Sequence, residues 1–108
     1  MIREGKPYTD DNGLIDDWLI TDKLTIQEQE EVLGWIEDNI IPRKTVNSKY
    51  SSYILKYLLE KDTGIHLSNN QFKDAMLIAG YDPINPNKVN WHYCISQKSP
   101  AIINYGKK

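Results

Sequence analysis

Apolar positions recur at helical spacing in three stretches of the chain and at strand spacing in one. Ile26, Val32, Leu33, Ile36 and Ile40 fall along one stripe, with Glu28, Glu30, Glu31, Glu37 and Asp38 mostly outside it, which predicts an amphipathic helix over about 26–40. Thr25-Ile26-Gln27-Glu28 opens it in the form of a capping box, Gly34 weakens it and Pro42 ends it. Tyr50, Tyr53, Ile54, Tyr57 and Leu58 then recur at i, i+3, i+4, i+7 and i+8, predicting a second helix capped by Asn47 or Ser48 and stopped at Gly64. Lys49 and Lys56 would share one face of it. Ser68 and Gln71 form a second capping box, opening a third helix in which Phe72, Ala75, Met76 and Ala79 make the buried stripe and Gly80 the end. Residues 89–96 alternate instead. Val89, Trp91, Tyr93 and Ile95 face one way and Asn90, His92, Cys94 and Ser96 the other, the pattern of a half-buried strand.

Between these elements the chain is less regular. Residues 1–13 read as an extended leader with turn residues at Gly5, Pro7 and Asp10–Gly13, and Leu14, Ile15, Trp18 and Leu19 as a short helix or turn docked on the body. Residues 42–47 read as a linker, Ile65-His66-Leu67 as a short strand, and Ile102, Ile103 and Tyr105 as a further strand or a frayed tail. The expected fold class is α+β: a small helical domain of three or four helices with a short β wing, winged helix-turn-helix-like. Residues 1–42 would be an acidic leader and helix packed on the body, and 43–108 a basic winged-helix-like segment, the whole one compact domain.

Composition narrows the classes. A chain of 108 residues is one domain's worth, and no apolar run approaches the ~20 residues a membrane helix needs. One cysteine, Cys94, excludes an intrachain disulfide framework and suits a reducing cytoplasm. Met1–Pro7 lacks an apolar signal segment, so a cytoplasmic location is expected rather than secretion. The formal net charge of −2 conceals a division. Residues 1–42 carry three basic and eleven acidic groups, a net of −8; residues 43–108 carry ten basic and four acidic, a net of +6. Such asymmetry points either to attraction between the two halves or to an electrostatically directed contact.

Two capped helices and a strand in the basic segment suggest a helix-turn-helix with a wing, whose second helix would present Asn69, Asn70 and Lys73 to base edges. Arg43, Lys44, Lys49, Lys56 and Lys88 would meet phosphates, with Lys61 and Lys98 beside them. Against this, the third helix has one lysine, one aspartate (Asp74) and no arginine, and the link from Glu60 to Ser68 exceeds the tight turn of the simplest motif. Tyr50, Tyr53 and Tyr57 are expected in the core; a stacking platform for single-stranded nucleic acid is the other use of such a stripe. His66, His92 and Cys94 lack the spacing of a zinc site, so no metal and no cofactor are expected. No nucleophile elbow, phosphate loop or acid–base pair is present, so the protein is not expected to be an enzyme.

The stretches Ile41-Pro42-Arg43-Lys44-Thr45, Ser52-Tyr53, Asp62-Thr63-Gly64-Ile65, Asn69–Met76 and Asn90-Trp91 through Ser99-Pro100 resemble small phage and mobile-element proteins of Gram-positive bacteria, over roughly residues 40–100. The segment Phe72…Ala75-Met76…Gly80-Tyr81 is more distantly similar to the winged-helix segment of phage and viral primase-helicases. These resemblances imply a bacterial host cell and a non-enzymatic accessory protein whose partner is DNA. They also open a second class: an inhibitor of a host nucleic-acid-processing protein such as a CRISPR effector, of the anti-CRISPR type. Such an inhibitor could use its acidic face, at Asp16, Asp17, Glu30, Glu31, Glu37 and Asp38, to imitate phosphates. No membrane partner is expected, and a homodimer stays open.

Overall fold

Thr25 and Ser68 cap helices as their spacing predicts. The Thr25 hydroxyl accepts from the Glu28 amide at 3.1 Å while the Glu28 carboxylate accepts from the Thr25 amide at 2.9 Å. Ser68 and Gln71 repeat the exchange at 3.0 and 2.9 Å. Two pairs of otherwise orphaned groups are thereby satisfied locally. The computed structural model describes residues 2–3, 6–7 and 18–105. In order these form β1 (Ile2–Arg3), β2 (Lys6–Pro7), α1 (Ile26–Asn39), β3 (Pro42–Ser51), α2 (Ser52–Thr63), α3 (Asn69–Ile78), β4 (His92–Ile95) and α4 (Pro100–Tyr105). The architecture is α+β: four helices with an antiparallel β3–β4 sheet, and a minimal antiparallel β1–β2 pair ahead of them. None of the described helices is long and apolar enough to cross a membrane.

The core is continuous. Val32, Trp35 and Ile36 of α1 meet Leu55, Leu58 and Leu59 of α2, Phe72, Ala75 and Met76 of α3, and Trp91, Tyr93 and Ile95 of the β4 segment. The alternation predicted for residues 89–96 holds over 91–95, where Trp91, Tyr93 and Ile95 are fully buried and His92 and Cys94 half-buried on the other face; Val89 and Asn90 lie in the bend before the strand. Gly64 ends α2 at φ 77°, a left-handed stop that only glycine adopts without strain.

Several expectations change. Residues 42–51 are a strand, not a linker with the start of a helix, so Lys49 lies on β3 and shares no helix face with Lys56 of α2. The buried stripe of α2 is Ser52, Leu55, Leu58 and Leu59; Tyr53 and Tyr57, placed in the core by their spacing, are 59% and 47% exposed. Leucine is desolvated at no polar cost, whereas each buried phenol needs a hydrogen-bond partner, so the aliphatic stripe wins the interior. Ile26 opens α1 but is exposed, and Trp35 takes the inward place, its indole donating to the Asp62 carboxylate at 2.9 Å. Ile65 and Leu67 are buried as an irregular link, not a strand. Residues 100–105 form a helix, Pro100 standing at its first position, where a missing amide costs nothing.

Of the leader, residues 8–17 lie outside the described residues, and with them the expected docking of Leu14 and Ile15. Residues 18–22 form an irregular strap across α3. Asn70 Nδ2 donates to the Trp18 carbonyl at 2.8 Å, Gln71 Nε2 to those of Leu19 and Asp22 at 3.3 and 2.6 Å, and the Ile20 amide to Asp74 Oδ2 at 2.9 Å. Ile20 itself is buried in the core.

Candidate nucleic-acid interface

Two exposed lysines, Lys44 and Lys49, stand on the sheet where β3 is too long for its partner. Pro42 opposes Ile95 and Asn47 opposes Tyr93, five steps along β3 against two along β4; Asn47 to Ser51 then spans four steps against one, from Tyr93 to His92. The surplus residues bulge outward, and bulges re-aim the side chains they carry. The first contains Arg43 and Lys44, the second Lys49. Each is fastened by a side chain. Arg43 donates through Nε to the Thr45 carbonyl and through Nη2 to that of Val46, both at 2.9 Å. Buried Asn47 accepts from the Lys49 amide at 3.1 Å and donates to Gln97 Oε1 at 2.7 Å, tying the second bulge to the turn after β4.

Lys44 and Lys49 are exposed, as are Lys88 in the loop before β4 and Lys98 in the turn after it. No Asp or Glu occurs in residues 39–59 or 83–108, so both strands are free of carboxylates and Asp82 is the one acid in the loop before β4. Asp82 borders a cleft of about 320 Å³ beside Arg43 and Cys94, and so offsets part of the charge at one edge. Lys56 is engaged elsewhere: its ammonium lies 3.2 Å from Glu60 Oε1 and 5.7 Å from the centre of the Tyr53 ring. Among the described residues no ion pair joins α1 to the sheet; the recorded pairs, Lys56–Glu60 and His66–Glu60, are local to α2 and the link that follows it.

The three residues expected at base edges sit elsewhere. Asn70 and Lys73 are fully buried. Asn70 is under the strap, its Oδ1 without a hydrogen-bond partner, and the Lys73 ammonium lies 4.7 Å from the centre of the Trp91 ring. Asn69 is half-buried and bridges three segments: it accepts from Ser52 Oγ at 3.2 Å and donates to the Val89 carbonyl and Asn90 Oδ1 at 3.3 and 3.0 Å. The face of α3 that a groove would need is therefore occupied by the chain's own residues 18–22. Sequence spacing marked that helix and expected Trp18 and Leu19 to dock on the body, but carried no sign that they would dock on this face. Nor did it mark Ser52, the buried hub that exchanges hydrogen bonds with the Trp91 backbone, Ser52 N donating at 2.7 Å and Ser52 Oγ accepting at 3.0 Å.

On the acidic side, Glu30, Glu31, Glu37 and Asp38 are exposed on α1, while Asp16 and Asp17 fall outside the described residues. Beside α1, Leu33, Ile36, Ile40 and Ile78 line a groove of about 410 Å³ with Glu37 at its rim. His66 is exposed near Glu60, and among the described residues no three His, Cys, Asp or Glu side chains converge as a metal site would require. Compared with known proteins, the chain matches no family model, no curated protein and no solved structure.

Proposed function

We propose that this protein is a non-enzymatic accessory protein of a phage or mobile element that binds nucleic acid through its basic β3–β4 sheet. One observation carries the reading: the bulged strand and its flanking loops expose Lys44, Lys49, Lys88 and Lys98, and residues 39–59 and 83–108 hold no carboxylate. The order helix, strand, helix, helix, strand, with the strands paired, suits a winged-helix-like segment that uses its wing. The second helix of that motif would be structural here, since its outer face holds the strap. Phosphates are then the contacted groups, and affinity comes from counterion release.

The test is fluorescence anisotropy with labelled oligonucleotides at 50 and 200 mM salt. Four lysine–phosphate contacts predict a loss of about 50-fold for a single strand and about 150-fold for a duplex over that range. Lys44→Glu/Lys49→Glu should weaken binding to every sequence and flatten the salt dependence. Absence of binding at low salt to both forms of nucleic acid would overturn the proposal. A second reading is favoured by the unpaired acidic face of α1 beside its apolar groove: inhibition of a basic host protein, such as a CRISPR effector. Charge reversal at Glu30, Glu31, Glu37 and Asp38 should abolish that association; unchanged inhibition would remove it.

A further inference from the structure

Resting on the basic-sheet reading above, we infer that the nucleic acid is held as a single strand, with bases stacked on Tyr53 and Tyr57 of α2. These residues are 59% and 47% exposed and stand at i and i+4, so their Cβ atoms lie about 5–6 Å apart on one helix face. The helix begins where β3 ends, which places the rings directly after the bulge that carries Lys49. Lys61 is exposed one helical turn beyond Tyr57, and Lys49 is exposed on the strand that leads into the helix, charges that complement a phosphate chain. Lys56 sits over one face of Tyr53, 5.7 Å from the ring centre.

Two further features select a single strand. A phenol ring can stack only on a base whose face is free, and in a duplex every base face is covered by its neighbours. Reading a duplex by its major groove would need a free recognition helix, but the first turn of α3 is buried and hydrogen-bonded to the strap. Backbone charge and base faces remain as the available contacts. The expected sequence preference is therefore weak.

Anisotropy with the full chain tests this using a fluorescein-labelled 12-mer of dT, a 12-mer of abasic residues and a 20-base-pair duplex. The protein should bind dT most tightly. Tyr53→Ala/Tyr57→Ala should lose at least about 30-fold on dT, the low end for stacking on two rings, and nothing on the abasic strand. Tyr53→Phe/Tyr57→Phe should retain the dT affinity, because the ring and not the hydroxyl does the stacking. Both pairs are exposed, so thermal melts of the variants should match the parent. Equal binding of dT by the alanine variant, or equal parent binding of dT and abasic strands, would overturn the inference while leaving the sheet reading intact. So would duplex binding as tight as dT. No binding to any of the three would overturn both.

Discussion

Removing one oxygen atom from the core should stabilise this protein. Tyr93 is fully buried on the inner face of β4, and its hydroxyl has no hydrogen-bond partner. Tyr93→Phe therefore breaks no bond and restores no solvent. An unsatisfied buried polar group costs about 1–3 kcal/mol, and its removal recovers that cost. The oxygen's dispersion contacts, at about 0.1–0.2 kcal/mol each, offset roughly 1 kcal/mol of the gain. The expected net is stabilisation by about 1 kcal/mol, a rise in Tm of about 4–8 °C for a domain of this size. In urea the midpoint should rise by about 0.5 M with an unchanged slope. Burial also pushes the Tyr93 phenol well above its ordinary value near 10, because a phenolate there would be stripped of water. Above pH 10 the unfolded chain then loses this proton and the folded one keeps it. Its contribution is thus fully present below pH 10 and declines above, by up to about 1.4 kcal/mol per pH unit. The phenylalanine variant lacks that component. Urea titrations at pH 7, 9 and 10.5 measure both effects. If the variant is less stable at pH 7 by about 1 kcal/mol or more, the hydroxyl is bonded in solution and the reasoning fails. If its alkaline decline matches the parent's, Tyr93 ionises as freely folded as unfolded.

The same substitution at two glycines should have opposite signs: Gly34→Ala, mid-helix in α1 with nothing within 4 Å of the added carbon, should stabilise by about 1 kcal/mol, whereas Gly64→Ala at φ 77° should destabilise by about as much. Paired thermal melts read both. Asp74→Ala leaves the Ile20 amide without its carboxylate acceptor and should cost about 1.5–3 kcal/mol, with amide exchange at Ile20 quickening more than in α2. Asp62→Ala removes the acceptor of the Trp35 indole and should cost about 1 kcal/mol, while Asp62→Asn, which keeps an acceptor oxygen, should cost less; urea midpoints separate the two.

The strap changes what the charge division can mean. Attraction between an acidic half and a basic half predicts ion pairs across their boundary at Pro42, yet among the described residues none links α1 to the sheet. The halves are joined instead by the shared apolar core and by hydrogen bonds, among them those between residues 18–22 and one face of α3, and that contact closes the helix expected to read DNA. Exposed positive charge lies on β3, in the loops around β4 and at Lys61 of α2, the helix that carries two tyrosines the core does not use.

Local chemistry made much of the fold legible in the residues alone. Capping boxes at Thr25 and Ser68, the stop at Gly64 and the alternation of residues 91–95 depend on neighbours within a few positions, so spacing determined them. The division of charge at Pro42 was equally plain. Tertiary structure decided the rest, because each remaining choice depended on a partner far along the chain. Residues 42–51 lack a period of two, since their two bulges break it, and they become a strand only by pairing with β4 some fifty residues on. Helix α2 carries two apolar stripes, and periodicity cannot choose between them; contact with α1, α3 and β4 buries the leucines and turns Tyr53 and Tyr57 outward. Asn70 and Lys73 have the chemistry of base contacts, but the strap and Trp91 hold them inside. A residue's type and spacing set what it can do locally, while the long-range packing that covers or exposes it sets which of those capacities meets solvent.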